Sequence, residues 1–126
     1  MLVAVTGIAL PYLVRLPGMF FKGSDWLTSF FGNGPGAVII VGIYNAVWWI
    51  AVVLAIESYR HLRFAWFPIL FGAAFPILGY STLDLASSST AAIALFFIPL
   101  CALPLVFIGW LAGKYFDWRA SRLAQP

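Results

Sequence analysis

Residues 37–56 form an apolar run of twenty residues in which Asn45 is the one strongly polar side chain and no residue is charged. As an α-helix the run would be about 30 Å long, which is the thickness of the hydrocarbon core of a bilayer. The rest of the chain is similar, because 63% of its 126 residues are hydrophobic and 9% are charged. Soluble domains are about half apolar and a quarter charged. The sequence therefore predicts an integral membrane protein and excludes a soluble globule.

Two further apolar runs, residues 64–83 and 91–113, predict two more transmembrane helices. Both contain residues that break helices in water, namely Pro68, Gly72, Pro76 and Gly79 in the first and Pro99 and Pro104 in the second. Membrane-spanning helices tolerate such residues. We therefore expect both spans to be helical and bent.

Residues 2–21 predict a fourth span, the weakest of the four, because Pro11, Arg15 and Pro17 interrupt it. Arg15 opposes insertion by up to about 3 kcal/mol, whereas each strongly apolar residue favours it by about 0.3–0.6 kcal/mol. The sum favours insertion if the Arg15 side chain snorkels towards the headgroups. No Lys or Arg precedes the run and no small-residue cleavage pattern follows it, so we expect it to be retained and not removed as a signal peptide.

The cations in the short loops indicate the orientation of these spans. Five of the seven fall on one predicted side, namely Arg60, Arg63, Lys114, Arg119 and Arg122. Because Lys and Arg in short loops stay in the cytoplasm, we expect this side to be the cytoplasmic one. Four such helices leave no length for a separate soluble domain, so the sequence predicts a single domain over residues 1–126. We expect an all-α bundle of four transmembrane helices in a bacterial cytoplasmic membrane, with both termini cytoplasmic.

Two flanking segments have a pattern of their own. In residues 24–32, Ser24 can cap a short helix on which the large apolar residues share one face, and this predicts an interfacial helix between spans one and two. Those apolar residues are Trp26, Leu27, Phe30 and Phe31. Residues 114–126 mix aromatic and basic side chains, which predicts a cytoplasmic amphipathic tail on the membrane surface.

Asn45 is the first candidate for function, and Gly42 and Trp49 share its helical face. In one interpretation Asn45, Tyr44 and Trp49 contact a ligand or a solute. In the other, Asn45 hydrogen-bonds a neighbouring helix, while the small residues Gly42 and Ala46 let the two backbones approach. Asparagine in a membrane span commonly has the second role, which we favour.

Three further groups of side chains have alternative interpretations. Glu57, Arg60 and His61 predict an ion-paired helix end if the second span continues for one more turn, and they lie too near its edge for a proton relay. Arg15 either snorkels to headgroups, meets Asp84 or Asp25, or holds an anionic headgroup or ligand. Gly109 and Gly113 form a GxxxG pattern, which predicts a contact with another helix of the chain or of a second copy.

The residue types that catalysis needs are scarce. The chain has one His and one Cys, so a zinc site and an intrachain disulfide are both excluded, and we expect no cofactor or metal. The net charge of +3 is spread along the chain and forms no basic face, so nucleic acid is not an expected partner.

The expected function follows from small-residue faces in a chain too short for an elaborate site. We expect a non-enzymatic accessory or interaction protein that binds other membrane subunits, or itself, through helix faces. The alternative is an oligomeric channel or transporter for a small solute or ion. Its pathway would lie between protomers, near Asn45, Tyr44 and Arg15.

Overall fold

The structure, a computed structural model, describes residues 2–29, 35–84 and 91–123, and this part of the chain is helical without strands. Its helices are α1 (Leu2–Lys22), α2 (Asp25–Thr28), α3 (Pro35–Glu57), α4 (Trp66–Thr82) and α5 (Ala91–Leu123), with a 3-10 turn at Leu62–Phe64. Three segments are long and apolar enough to cross a membrane, namely Ile39–Glu57, Leu62–Thr82 and Ile93–Leu123. The all-helical prediction is thereby confirmed, and three of the four predicted spans have the length and the apolar composition that crossing a membrane requires. A membrane-spanning α1 stays a prediction.

The four long helices form a bundle in which α1 and α5 each contact both α3 and α4. The helices α1 and α5 therefore occupy opposite corners, and α3 and α4 meet across the middle. One buried cluster lies between α3 and α5 around Trp48, Val52 and Val106. A second lies nearer the other end of the bundle around Val41 and Tyr80.

The proline and glycine residues of α4 form its packing face. Its buried residues, Pro68, Gly72, Pro76 and Tyr80, are spaced four apart and so share one side of the helix. On α5, Gly109 lies so close to this side that a Cβ there would be 2.7 Å from the Phe67 carbonyl oxygen. Residues that weaken a helix in water therefore let α4 and α5 approach each other closely.

α5 continues without a break through the predicted amphipathic tail as far as Leu123. Its 33 residues extend about 50 Å, whereas a hydrocarbon core is about 30 Å thick. The segment from Lys114 onward is thus the end of a bundle helix, and its buried Asp117 packs against the turn that follows α3.

The helix predicted in residues 24–32 is present as α2, Asp25–Thr28. Gly23 provides the turn between α1 and α2 with a φ of 82°, a conformation that glycine adopts without steric cost. Trp26 on α2 is buried. Phe30, Phe31 and Gly32, which the prediction also included, lie outside the described residues.

Candidate functional site

Asn45 lies in the middle of the bundle and is completely buried. Its Nδ2 donates a hydrogen bond to Tyr80 Oη on α4 at 2.8 Å, and its Oδ1 accepts one from Trp48 Nε1 at 3.2 Å. Nδ2 also donates to the Val41 carbonyl oxygen at 2.9 Å. Trp48 and Tyr80 thus both hydrogen-bond Asn45, and the bond to Tyr80 joins α3 to α4. We call Asn45, Trp48 and Tyr80 the polar centre.

The other candidates near Asn45 lie around the polar centre in different directions. The Trp49 ring is buried and stacks on Trp48 with centroids 4.5 Å apart, and its Nε1 has no hydrogen-bond partner among the described residues. Tyr44 is 37% exposed and meets Phe96 of α5 edge to face. Gly42 is buried and Ala46 is half-buried. The structure therefore does not bring Tyr44 to the amide of Asn45.

Arg15 is completely buried in the C-terminal half of α1. Its Nε and Nη2 donate to the Trp26 carbonyl oxygen at 3.2 and 2.9 Å, and its Nη1 donates to the Leu83 carbonyl oxygen at 3.0 Å. The guanidinium lies 4.0 Å from the centroid of the Trp26 ring, and the negative charge of Asp84 acts on it. Arg15 therefore ties α1 to α2 and to the end of α4.

This arrangement differs from snorkelling, because the guanidinium of Arg15 donates to backbone carbonyl oxygens inside the protein and does not extend to the headgroups. Beside it is a cavity of about 320 Å³ that Lys22, Asp25, Trp26 and Asp84 line together with Ser29. The Lys22 ammonium also lies over the Trp26 ring, at 3.8 Å from its centroid. We call Arg15 and these residues the Arg15 end of the bundle, where two cations face two carboxylates.

The opposite end of the bundle buries a carboxylate. Asp117 on α5 accepts hydrogen bonds from the backbone N–H groups of Arg60 and His61 at 3.0 and 3.1 Å, and its Oδ1 lies 2.7 Å from His61 Nδ1. The Asp117 side chain is 4% exposed, whereas that of His61 is 41% exposed. We call residues 58–63 and 114–123 the cation-rich end, because they include all five cations of the predicted cytoplasmic set.

A second set of contacts at the cation-rich end joins the same two segments. Tyr59 Oη donates to the Trp110 carbonyl oxygen at 3.0 Å, and Trp110 Nε1 donates to Ser58 Oγ at 2.8 Å. Lys114 Nζ donates to the Ser58 carbonyl oxygen. Helix α5 is thus fixed to the turn after α3 by side chains from both.

These contacts change two pKa values beyond the apolar parts of the helices. Burial, with a smaller contribution from the Asp117 charge, raises the pKa of Tyr59 to about 12, so the phenol stays protonated and can donate. Burial alone would raise the pKa of Asp117, but the N–H groups of Arg60 and His61 and the His61 ring outweigh it and hold that pKa below its ordinary value. Asp117 is therefore a carboxylate at neutral pH.

The sequence predicts Glu57 as the acidic partner of Arg60 and His61, and this prediction is wrong. Helix α3 ends at Glu57, so the extra turn that would bring Arg60 and His61 onto its face is absent. Glu57 is exposed, and His61 pairs with Asp117 from α5. Spacing along one helix could not reveal this partner, which lies 56 residues away in the chain.

The GxxxG glycines contact other parts of the same chain. Gly109 faces the backbone of Phe67 and Pro68, and Gly113 faces the ring of Tyr59. Both glycines are buried. In this structure they pack within the bundle and present no open face to a second copy.

Three residues of these contacts, Asp117, Tyr59 and Tyr80, are not predicted from the sequence. Asp117 stands among aromatic and basic residues in a segment expected at the surface, and the two tyrosines resemble ordinary aromatic residues of a span or its edge.

No group of three or more His, Cys, Asp or Glu side chains within residues 2–29, 35–84 and 91–123 is placed to hold a metal ion. Comparison with protein-family models, curated proteins and solved structures finds no match to this chain.

Proposed function

We propose that this protein is a non-enzymatic accessory subunit that binds a transmembrane helix of another membrane protein through an exposed face of α3. The observation that carries the proposal is a row of four exposed aliphatic residues, Ile40, Ile43, Val47 and Ile50. They are between 43% and 60% exposed. We call this row the α3 seam.

The spacing of the α3 seam suits a second helix. Its residues follow one another at intervals of three, four and three, which is the pattern along which two helices pack with a left-handed crossing. Isoleucine and valine hold few side-chain rotamers in a helix, so ordering them against a partner costs little entropy. The seam lies on the side of α3 away from Trp48 and Val52, which are completely buried in the bundle.

The buried polar groups support the same proposal. Asn45 hydrogen-bonds Trp48 and Tyr80, and Arg15 donates to backbone carbonyl oxygens. A pathway between protomers would need polar atoms on the surface, whereas Asn45 and Arg15 are both completely buried. Of the three residues named for the channel or transporter, Tyr44 is the one that is exposed, and that alternative therefore ranks second.

A photoreactive amino acid placed in the seam of the full chain tests the proposal. We expect the probe at Ile43 or Ile50 to form a discrete adduct with another protein in native membranes. Leu78 on α4 is the matched control, because it is 64% exposed on a different helix and should give no such adduct. Equal labelling from all three positions, or an adduct with lipid alone, would contradict the proposal. An adduct of twice the chain mass would replace the foreign partner with a second copy.

We also propose four spans in a bacterial cytoplasmic membrane, with the cation-rich end and both termini in the cytoplasm. The exposed Cys101 is first replaced by alanine. Single cysteines near Arg60 and Ser87 are then tested with a reagent that does not cross the membrane. Labelling of both from the same side would show that the topology is wrong.

A further inference from the structure

An apolar groove runs between α3 and α5 and ends at the cation-rich end. It has a volume of about 380 Å³. On one side it is lined by Ala51, Leu54 and Ala55 of α3 and by Ser58 in the turn that follows, and on the other by the segment from Leu103 to Trp110 on α5. Ala55 and Val106 are buried at its floor, whereas Leu54 and Phe107 on its rims are 62% and 57% exposed. The alanines leave space that larger side chains would fill.

The groove changes from apolar to cationic at Ser58. Lys114 lies one turn beyond Trp110 and donates to the Ser58 carbonyl. The same Lys114 lines a second cavity of about 220 Å³, together with Arg60 and Asp117. The Asp117 carboxylate is engaged by His61 and two backbone N–H groups, while the Arg60 side chain is exposed. An elongated molecule in the groove would therefore place one end beside two cations.

The dimensions match part of a lipid. Residues 51 to 57 span about 9 Å of helix, which is somewhat more than half of one leaflet of a hydrocarbon core about 30 Å thick. A tryptophan and basic side chains at the polar end are the groups that lie at the level of headgroups. We propose that this groove binds one anionic phospholipid, with an acyl chain between Leu54 and Phe107 and its phosphate at Lys114 and Arg60.

Quenching of tryptophan fluorescence by brominated acyl chains tests this site in the full chain. The protein is placed in phosphatidylcholine vesicles that contain increasing shares of either brominated phosphatidylglycerol or brominated phosphatidylcholine. The difference between the wild type and Trp110→Phe isolates the signal of Trp110. Trp66→Phe provides the matched reference, because Trp66 is 63% exposed on α4, near the same end of the bundle.

We expect the anionic lipid to quench Trp110 at a share about thirtyfold lower than the neutral lipid, the factor for two contacts between a cation and a headgroup at about 1 kcal/mol each. Trp66 should show a much smaller preference. Lys114→Gln should remove most of the preference at Trp110, whereas Arg122→Gln, which removes the same charge outside the groove, should leave it. Ala51→Phe should abolish it by filling the groove while the cations remain.

Native mass spectrometry of the unaltered chain from mixed micelles gives a second measurement that needs no tryptophan variant. We expect one phosphatidylglycerol to be retained by the wild type and lost from Lys114→Gln. Equal quenching of Trp110 by the two lipids, together with no retained anionic lipid, would overturn the proposal. Trp110 quenched by neither lipid would also overturn it and would assign the groove to a partner helix.

Discussion

The two ends of the bundle bury charges of opposite sign and satisfy them with opposite backbone groups. At the Arg15 end, a guanidinium donates to the carbonyl oxygens of Trp26 and Leu83. At the cation-rich end, the Asp117 carboxylate accepts from the N–H groups of Arg60 and His61. Helix ends and turns leave such backbone groups without partners. Each buried charge therefore hydrogen-bonds backbone groups that have no partner within a helix.

The exposed charges at the two ends differ as well. Lys22 at the Arg15 end shares its cavity with two carboxylates, Asp25 and Asp84. At the other end Arg60, Arg63, Arg119 and Arg122 are all exposed. Excess positive charge is thus available to anionic headgroups at one end alone.

The largest expected effect comes from removing the buried cation. Arg15→Ala removes the donors that the Leu83 carbonyl oxygen accepts from, leaves the Trp26 carbonyl oxygen with Ser29 Oγ alone and opens a large cavity. We therefore expect a loss of about 3–5 kcal/mol of stability. Thermal unfolding in mild detergent measures it. Arg119→Ala, an exposed cation at the other end, should change stability by less than about 0.5 kcal/mol. If the two variants unfolded at similar temperatures, the proposed capping role of Arg15 would be wrong.

Asp117→Asn tests the opposite end and should have a smaller effect. The amide keeps one acceptor oxygen and loses its charge, so we expect a loss of about 1.5–3 kcal/mol, the range for hydrogen bonds to a charged group. Glu57→Gln is the matched control, because Glu57 is exposed, and it should melt like the wild type. If Glu57→Gln were the more damaging change, the ion pair predicted from helical spacing would regain support.

The polar centre lies between the two ends, carries no charge and should contribute least of the three. Tyr80→Phe removes the hydroxyl that bonds Asn45, and we expect a loss of about 1 kcal/mol. Asn45→Leu combined with Tyr80→Phe completes a double-mutant cycle. Coupling near zero would show that the bond between the two side chains contributes nothing to stability.

Acid should weaken the cation-rich end slightly. Because the folded pKa of Asp117 is lowered, its contribution is complete above its unfolded pKa of about 3.9 and is lost as the pH falls through the folded pKa. We expect the melting difference between the wild type and Asp117→Asn to narrow below about pH 4. A constant difference down to about pH 3 would show that protonation of Asp117 is not linked to folding.

The sequence predicts the spans well because bilayer-length apolar runs are local signals. Residues 37–56 and 64–83 correspond closely to α3, Pro35–Glu57, and α4, Trp66–Thr82. Asn45 stands out by its polarity in an apolar run. The partners of the buried groups could not be predicted in the same way. Tyr80 is 35 residues from Asn45, and Asp117 is 57 residues from Arg60, so both contacts depend on how the helices are arranged.

The failed prediction for Glu57 has the same physical cause. The i, i+3 and i, i+4 rule holds only while the helix continues, and α3 stops at Glu57. Nothing in the residues that follow marks this end as strongly as a proline or glycine would. A local rule applied across an unrecognised helix end therefore assigned His61 to the wrong carboxylate.

The contact between Arg15 and Leu83 also sets an order of events during synthesis. The chain is made from its N-terminus, and Leu83 follows Arg15 by 68 residues. When α1 leaves the ribosome, one of the carbonyl groups that will hold its guanidinium does not yet exist. Helix α1 is therefore synthesised well before α4 but cannot complete the contacts of Arg15 until the chain has been made as far as Leu83.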